Sequence, residues 1–256
     1  TGRGIPTQLG TRIVIGNKAY PPDAGTHVPM FARWSGTVPG NTRDTLWTEY
    51  RPFDELPIVE NPKSGFIQNC NSDPFQTSIG GDNPDESAFP ENYGIEKWMT
   101  NRARRAVELY GSDESITHDE FFRYKYDKLY SEKSNLRRQV ADFVEVQAGN
   151  SELKKEIDLL RQWNGETTKD NRSAALVLLT FRPRSNSSKR KTGHERTLEQ
   201  LQKASENLDK HFGRIDVEWG AVNRLVRGDK NIPLGGGPDT LRAIYGRPQE
   251  DGTLAG

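Results

Sequence analysis

Apolar residues recur at helical spacing through the middle of the chain, between residues 95 and 230. In residues 195–212, for example, Leu198, Leu201 and Leu208 fall on one face of a helix. The pattern predicts helices at residues 95–110, 134–146, 151–163 and 195–212, and one more that begins at the capping box of residues 117–120. We therefore expect residues 95–230 to be mainly helical.

The helix that follows the capping box carries a row of large apolar side chains. Phe121, Phe122, Tyr126 and Leu129 lie on one side of it at helical spacing. Aromatic residues on such a face are typical of a core contact rather than a ligand site. We expect them to be buried.

Strand signals are concentrated before residue 95. Residues 11–15 alternate in a way that predicts one strand. In residues 60–75, the apolar pair Phe66-Ile67 lies between a Pro-Lys-Ser-Gly turn and a polar cluster that Pro74 closes. This arrangement predicts a short strand that ends in a tight loop.

The tip of that loop carries amide side chains, Gln68, Asn69 and Asn71. An amide offers donors without charge, so such a loop could polarise a substrate carbonyl. Asn-rich tips are also common as plain turns that side chain to backbone bonds stabilise. Composition alone favours the plain turn and leaves both interpretations open.

Composition bounds the partners. Only 32% of the residues are hydrophobic and the mean hydropathy is −0.85, which indicates long surface segments or a part of a larger protein. Lys plus Arg and Asp plus Glu both total 36, so no net charge favours nucleic acid or an anionic membrane. No apolar run approaches the ~20 residues of a membrane span. We expect neither kind of partner.

Other chemistries have little support. Cys70 is the single cysteine and excludes an internal disulfide, and residues 182–196 form a basic block without aromatic residues for base stacking. No Gly-x-Ser-x-Gly elbow is present. The histidines and the acidic residues of the loop at 80–94 lack metal-ligand spacing: His27, His118, His194, His211, Asp82, Asp85, Glu86 and Glu91. We expect no metal and no cofactor.

Residues 61–74, Asn-Pro-Lys-Ser-Gly-Phe-Ile-Gln-Asn-Cys-Asn-Ser-Asp-Pro, resemble the oxyanion-hole strand of the penicillin acylase family. These are N-terminal-nucleophile amidases, among them cephalosporin and acyl-homoserine lactone acylases. Further stretches are similar to family segments, and the resemblance spans about residues 34–256: residues 53–60, 101–109, 159–165, 217–225 and 233–242.

The resemblance implies an α+β fold, part of the four-layer αββα sandwich of Ntn hydrolases with a helical segment. It implies that Asn71 donates to the oxyanion, with Asn69 and Gln68 supporting the loop. Arg102 takes the place of an arginine that steers the amidase's nucleophilic amine and the asparagine, which leaves Arg104 and Arg105 structural or exposed.

The nucleophile that the resemblance implies is an N-terminal serine outside this chain, acting on an acyl amide substrate. Thr1 lacks the family's Ser-Asn motif and lies only about seventy residues before the amide loop, so we expect it to be a boundary. The remaining partners are a small α subunit and further β-subunit segments, in a periplasmic or secreted enzyme. The chain alone is expected to be inactive.

The expected organisation is a strand and loop region at 1–94, a mainly helical region at 95–230, and a Gly-rich loop with a short helix at 231–256. A hypothesis from another class stays open at this point. A largely helical, non-catalytic interaction domain could dock a partner through the basic block or the acidic loop.

Overall fold

The computed structural model describes the backbone of residues 5–9 and 12–16, and residues 52–90, 93, 95, 97–181 and 193–256. The chain divides into two compact units, Thr1–Glu55 and Leu56–Gly256. In the first unit, β1 (Ile5–Leu9) and β2 (Arg12–Gly16) form an antiparallel hairpin. The second strand matches the prediction for residues 11–15. Thr1 and most of the basic block, residues 182–192, lie outside the described residues.

The second unit contains helices at most of the predicted positions. The first begins at Asn101 rather than at residue 95, because Thr100 is extended (φ −69°, ψ 161°) and its side chain accepts from Ala103 N. Within the described part of the unit the helices are α1 (Asn101–Leu109), α2 (His118–Lys125), α3 (Asn135–Val146), α4 (Lys154–Arg161), α5 (Ala174–Thr180), α6 (His194–Phe212) and α7 (Trp219–Val222).

The helices from α3 to α7 share one hydrophobic cluster, which we call the helical core. α5 packs against α4, α6 and α7 and buries nearly every side chain. Leu201 and Leu208 of α6 are fully buried, with Leu198 packed against the cluster, which confirms the predicted apolar face. Trp219 at the start of α7 is also fully buried.

The prediction that the aromatic face of α2 is buried is wrong. Phe121, Phe122 and Tyr126 are 45%, 42% and 42% exposed. Tyr124 is the buried residue, edge-on to Tyr110 at 5.2 Å between ring centroids. This eight-residue helix packs against the rest of the unit through one aromatic side chain, so the neighbouring aromatic side chains stay at the surface.

The end of the chain forms a sheet, not the short helix expected at 231–256. The strands are β3 (Asn223–Arg227), β4 (Lys230–Pro233), β5 (Arg247–Pro248) and β6 (Leu254–Ala255). Their order is β4-β3-β6-β5, and only β3 and β6 run parallel. Gly235, Gly236, Gly237 and Pro238 disfavour helix here, and Gly236 has φ +106°. The described fold is therefore mixed, as expected of an α+β protein.

The prediction of a short strand at the apolar pair that begins with Phe66 is also wrong. Residues 66–78 form a loop, which we call the amide loop. Within this fully described segment one backbone hydrogen bond joins its two arms, from Gln68 N to Thr77 O at 2.8 Å. The Phe66 carbonyl accepts from the Ser78 hydroxyl at 2.8 Å instead. Because a side chain takes the next position of the ladder, no regular strand pair forms.

Candidate active site

Gln68 holds the amide loop together from inside. Its side chain is buried, and its Nε2 donates to Ser72 Oγ at 2.8 Å and to the Gln76 carbonyl at 2.7 Å. Its Oε1 accepts from Cys70 N at 2.9 Å. All of the strong hydrogen-bonding groups of this amide are used within the loop itself. The loop is consequently a defined turn around one buried amide.

Thr100 joins the loop to α1. Its hydroxyl donates to the Cys70 carbonyl at 2.7 Å and accepts from Ala103 N at 3.1 Å, so one oxygen both caps the helix and grips the loop. A second link runs from Asp73 N to the Trp98 carbonyl at 3.0 Å. The amide loop and the start of α1 therefore form one hydrogen-bonded unit.

Asn71 lies at the exposed tip, with a left-handed backbone (φ 59°) that Asn tolerates better than most residues. Arg102 Nη2 donates to Asn71 Oδ1 at 3.0 Å. A guanidinium has donors only, so it selects the oxygen of the amide and turns the Nδ2 group away from itself. The Nδ2 group of Asn71 has no hydrogen-bond partner among the described residues. An uncharged N–H donor is thus left unpaired, within the described part of the chain, at the exposed tip of the loop.

Asp239 holds the Nε of Arg102. Arg102 Nε donates to Asp239 Oδ1 at 3.1 Å, and the two side chains are 31% and 35% exposed. The second carboxylate oxygen accepts from the backbone N–H of Asn101 at 2.7 Å. A carboxylate, a guanidinium and an amide therefore lie in one row, from the glycine-rich loop to the tip of the amide loop.

The remaining predicted residues differ in their contacts and exposure. Asn69 is exposed and, in the described part of the chain, makes no hydrogen bond, so the visible support of the loop comes from Gln68. Arg105 is structural, with its guanidinium paired edge-on with both carboxylate oxygens of Asp127 at 2.9 and 3.0 Å. Arg104 is half-buried.

Cys70 lies between the two asparagines and is half-buried. Burial raises the pKa of its thiol above the ordinary value; the Arg102 guanidinium lowers that pKa by less, and the Asp239 carboxylate raises it. The thiol therefore stays protonated near neutral pH, which suits a packed side chain better than a nucleophile.

Reasoning from the sequence did not identify Asp239 and Thr100 as site residues. Asp239 lies in the family-like stretch 233–242, to which no role was assigned, and it follows Gly-Gly-Gly-Pro, where Asp is a frequent turn residue that accepts a left-handed backbone. For Thr100 the signal is a Thr just before a helical pattern, a common N-cap. Neither signal points to a partner at the amide loop.

The surroundings of the site are open. A groove of about 640 Å³ lies beside the amide loop and is lined by Ile67, Cys70, Ala106 and Tyr110 among others. In the part of the chain that the structure describes, no group of three or more His, Cys, Asp or Glu side chains could hold a metal ion. No helix of that part is long and apolar enough to span a membrane.

The model of the penicillin amidase family matches residues 24–254 of this chain. The match includes the amide loop, α1, the helical core and the glycine-rich loop, and covers most of the sequence. The chain belongs to the penicillin amidase family. It is therefore of the amide-hydrolysing, acylase kind, and a small-molecule substrate fits that class.

Proposed function

We propose that this chain supplies the oxyanion-stabilising part of an N-acyl amide hydrolase. The observation that carries the proposal is the contact of Arg102 with Asn71 Oδ1 at 3.0 Å at the exposed tip of the loop, which leaves the Asn71 Nδ2 donor without a partner among the described residues. The attacking group in this proposal is an N-terminal serine outside this chain, by resemblance to the family. That serine adds to the acyl carbonyl while its own α-amine takes up the hydroxyl proton.

The chemistry asked of Asn71 is electrostatic. As the serine oxygen bonds to the carbonyl carbon, negative charge develops on the carbonyl oxygen, and Nδ2 donates to it. The Arg102 contact polarises the same amide from its oxygen side, which makes the N–H a better donor. The α-ammonium group gives its proton to the amide nitrogen as the C–N bond breaks, so the intermediate collapses to an acyl-serine ester and a free amine. Water then hydrolyses the ester, with the α-amine again accepting the proton and returning it to the serine oxygen.

The proposal has a wider frame that comes from the family rather than from the described residues. It includes the αββα sandwich completed by other segments, a small α subunit, and a periplasmic or secreted location. Native mass spectrometry of the protein from its own source, with N-terminal sequencing of each chain, tests the partners. A partner chain or segment that begins with Ser is the expected finding.

The central test is Asn71→Ala in the complete enzyme, assayed on N-acyl p-nitroanilides with aromatic, long-chain and dicarboxylic acyl groups. We expect kcat to fall by roughly 100 to 1,000-fold on the best substrate, because one oxyanion donor is lost. KM should change little, since the charge develops only after binding. Unchanged turnover would overturn the assignment.

A matched control is Asn135→Ala. Asn135 also accepts from an arginine, Arg138 Nη2 at 2.6 Å, but at an exposed position on α3. It should leave kcat unchanged. The isolated chain should hydrolyse none of the substrates, and amide hydrolysis that Thr1→Ala abolishes would place the nucleophile at Thr1 instead.

A further inference from the structure

Asp239 lies in a loop that is fixed on both sides. The Tyr130 hydroxyl donates to the Pro238 carbonyl, and Thr240 Oγ1 accepts from Gly237 N at 3.0 Å. The Thr240 side chain is fully buried. Asp239 itself has a left-handed backbone, φ 62°. A residue held this firmly has little freedom to move its carboxylate.

The carboxylate meets the start of α1 with both oxygens. Oδ2 accepts from Asn101 N at 2.7 Å and Oδ1 from Arg102 Nε at 3.1 Å, while Asn101 Nδ2 donates back to the Asp239 carbonyl at 2.8 Å. The positive end of the helix macrodipole favours a carboxylate at this place. The three bonds fix Asp239 relative to the helix as well as to its own loop.

A guanidinium is planar, so an anchored Nε edge sets the direction in which Nη2 points. In this structure Nη2 points to Asn71 Oδ1. We propose that Asp239 is a positioning residue that aims Arg102, and through Arg102 turns the Asn71 amide so that Nδ2 faces the developing oxyanion. This inference rests on the proposed function, since it adds a residue to the same site.

Asp239→Asn in the complete enzyme tests the inference. Asn tolerates the left-handed backbone, and its oxygen can still accept from Asn101 N. Its NH₂ group then meets the Nε–H of Arg102, so two donors face each other and the anchor is lost. We expect kcat to fall about 10 to 100-fold from misorientation, with KM within about twofold and the melting temperature nearly unchanged.

The matched control is Asp216→Asn. Asp216 also pairs with an arginine through both oxygens, Arg214 at 2.6 Å in each bond, and these exposed bonds do not involve the amide loop. It should leave kcat and KM at the values of the unchanged enzyme.

The double variant Asp239→Asn with Asn71→Ala distinguishes positioning from a general structural role. If Asp239 acts through Asn71, the double variant is no slower than Asn71→Ala alone. Multiplied losses would show that Asp239 acts elsewhere and would overturn the inference, as would an Asp239→Asn enzyme with normal kcat. A normal kcat in Asn71→Ala would instead overturn the proposed function itself.

Should Asp239→Asn reduce folding, Arg102→Met breaks the same link without disturbing the bond to Asn101 N. It should lower kcat by a similar factor, and adding Asn71→Ala should again cause no further loss. An Arg102→Met enzyme with normal kcat would also contradict the inference.

Discussion

In the helical core, Leu176, Leu201 and Trp219 are fully buried among other apolar side chains. In the amide loop, the buried residues are Phe75 and three polar ones, Gln68, Asp73 and Ser78, and hydrogen bonds hold each of the polar side chains to its own loop. The first region is stabilised by the removal of apolar surface from water, the second mainly by directional bonds of fixed length. Within this unit, the helical core therefore provides most of the stability, and the amide loop holds the site residues in position.

The largest expected effect on stability is in the core. Trp219→Ala removes a fully buried ring whose Nε1 donates to the Gly236 carbonyl at 2.7 Å. We expect a loss of about 3 to 5 kcal/mol in the free energy of unfolding, measured by denaturant titration. A loss below about 1 kcal/mol would show that the core is not the stabilising region.

A smaller stability loss with a large functional one is expected for Gln68→Ala. The change leaves Cys70 N and the Gln76 carbonyl without their partner, which costs about 1 to 3 kcal/mol by the same titration. Because the loop loses its internal brace, kcat should fall as well. Normal kcat with reduced stability would contradict the division between the two regions.

Thr100→Ala should cost about 1 kcal/mol, the usual value of an N-cap. Thr117→Ala is its matched control, since Thr117 caps α2 in a capping box with Glu120 and its side chain bonds to Glu120 rather than to the amide loop. Both variants should lose similar stability, and only Thr100→Ala should lower kcat, because only Thr100 holds the Cys70 carbonyl. Equal kcat in the two would break the comparison.

The smallest effect is a change of charge at the loop, reported by Cys70. Asp239 raises and Arg102 lowers the pKa of this thiol. Asp239→Asn should therefore lower that pKa and speed alkylation by iodoacetamide at pH 8, while Arg102→Gln should raise it and slow the reaction. Peptide mapping by mass spectrometry follows the modification of Cys70, and rates that shift in the same direction would contradict the geometry.

The same contrast explains what the sequence could predict. Helical periodicity located α3 and α6 to within one residue, because burial of an apolar face repeats along the chain. It misled at Phe121 and Phe122, since periodicity shows that residues share a face but not what the face meets. The amide loop has no period: its turn residues predicted a tight loop, and the resemblance favoured an oxyanion site over a plain turn.

Asn71 and Arg102 came from that resemblance, and the structure brings the two together. Their roles in catalysis stay predictions. The role of Asp239 could not be predicted from the sequence, because it follows its partner Arg102 by 137 residues and no local pattern encodes a contact at that separation. A hydrogen bond between remote polar groups leaves no periodic trace in either segment.

That separation also sets an order of events during synthesis. At ~5–20 residues per second, Asp239 is made roughly 7 to 27 seconds after Arg102, so the nascent chain carries α1 and the amide loop without the anchor. The guanidinium has no fixed direction until the glycine-rich loop closes on it. In the proposed function, a nascent chain that stops short of Asp239 therefore holds its oxyanion donor unaligned, and the donor is aligned only after the glycine-rich loop has been made.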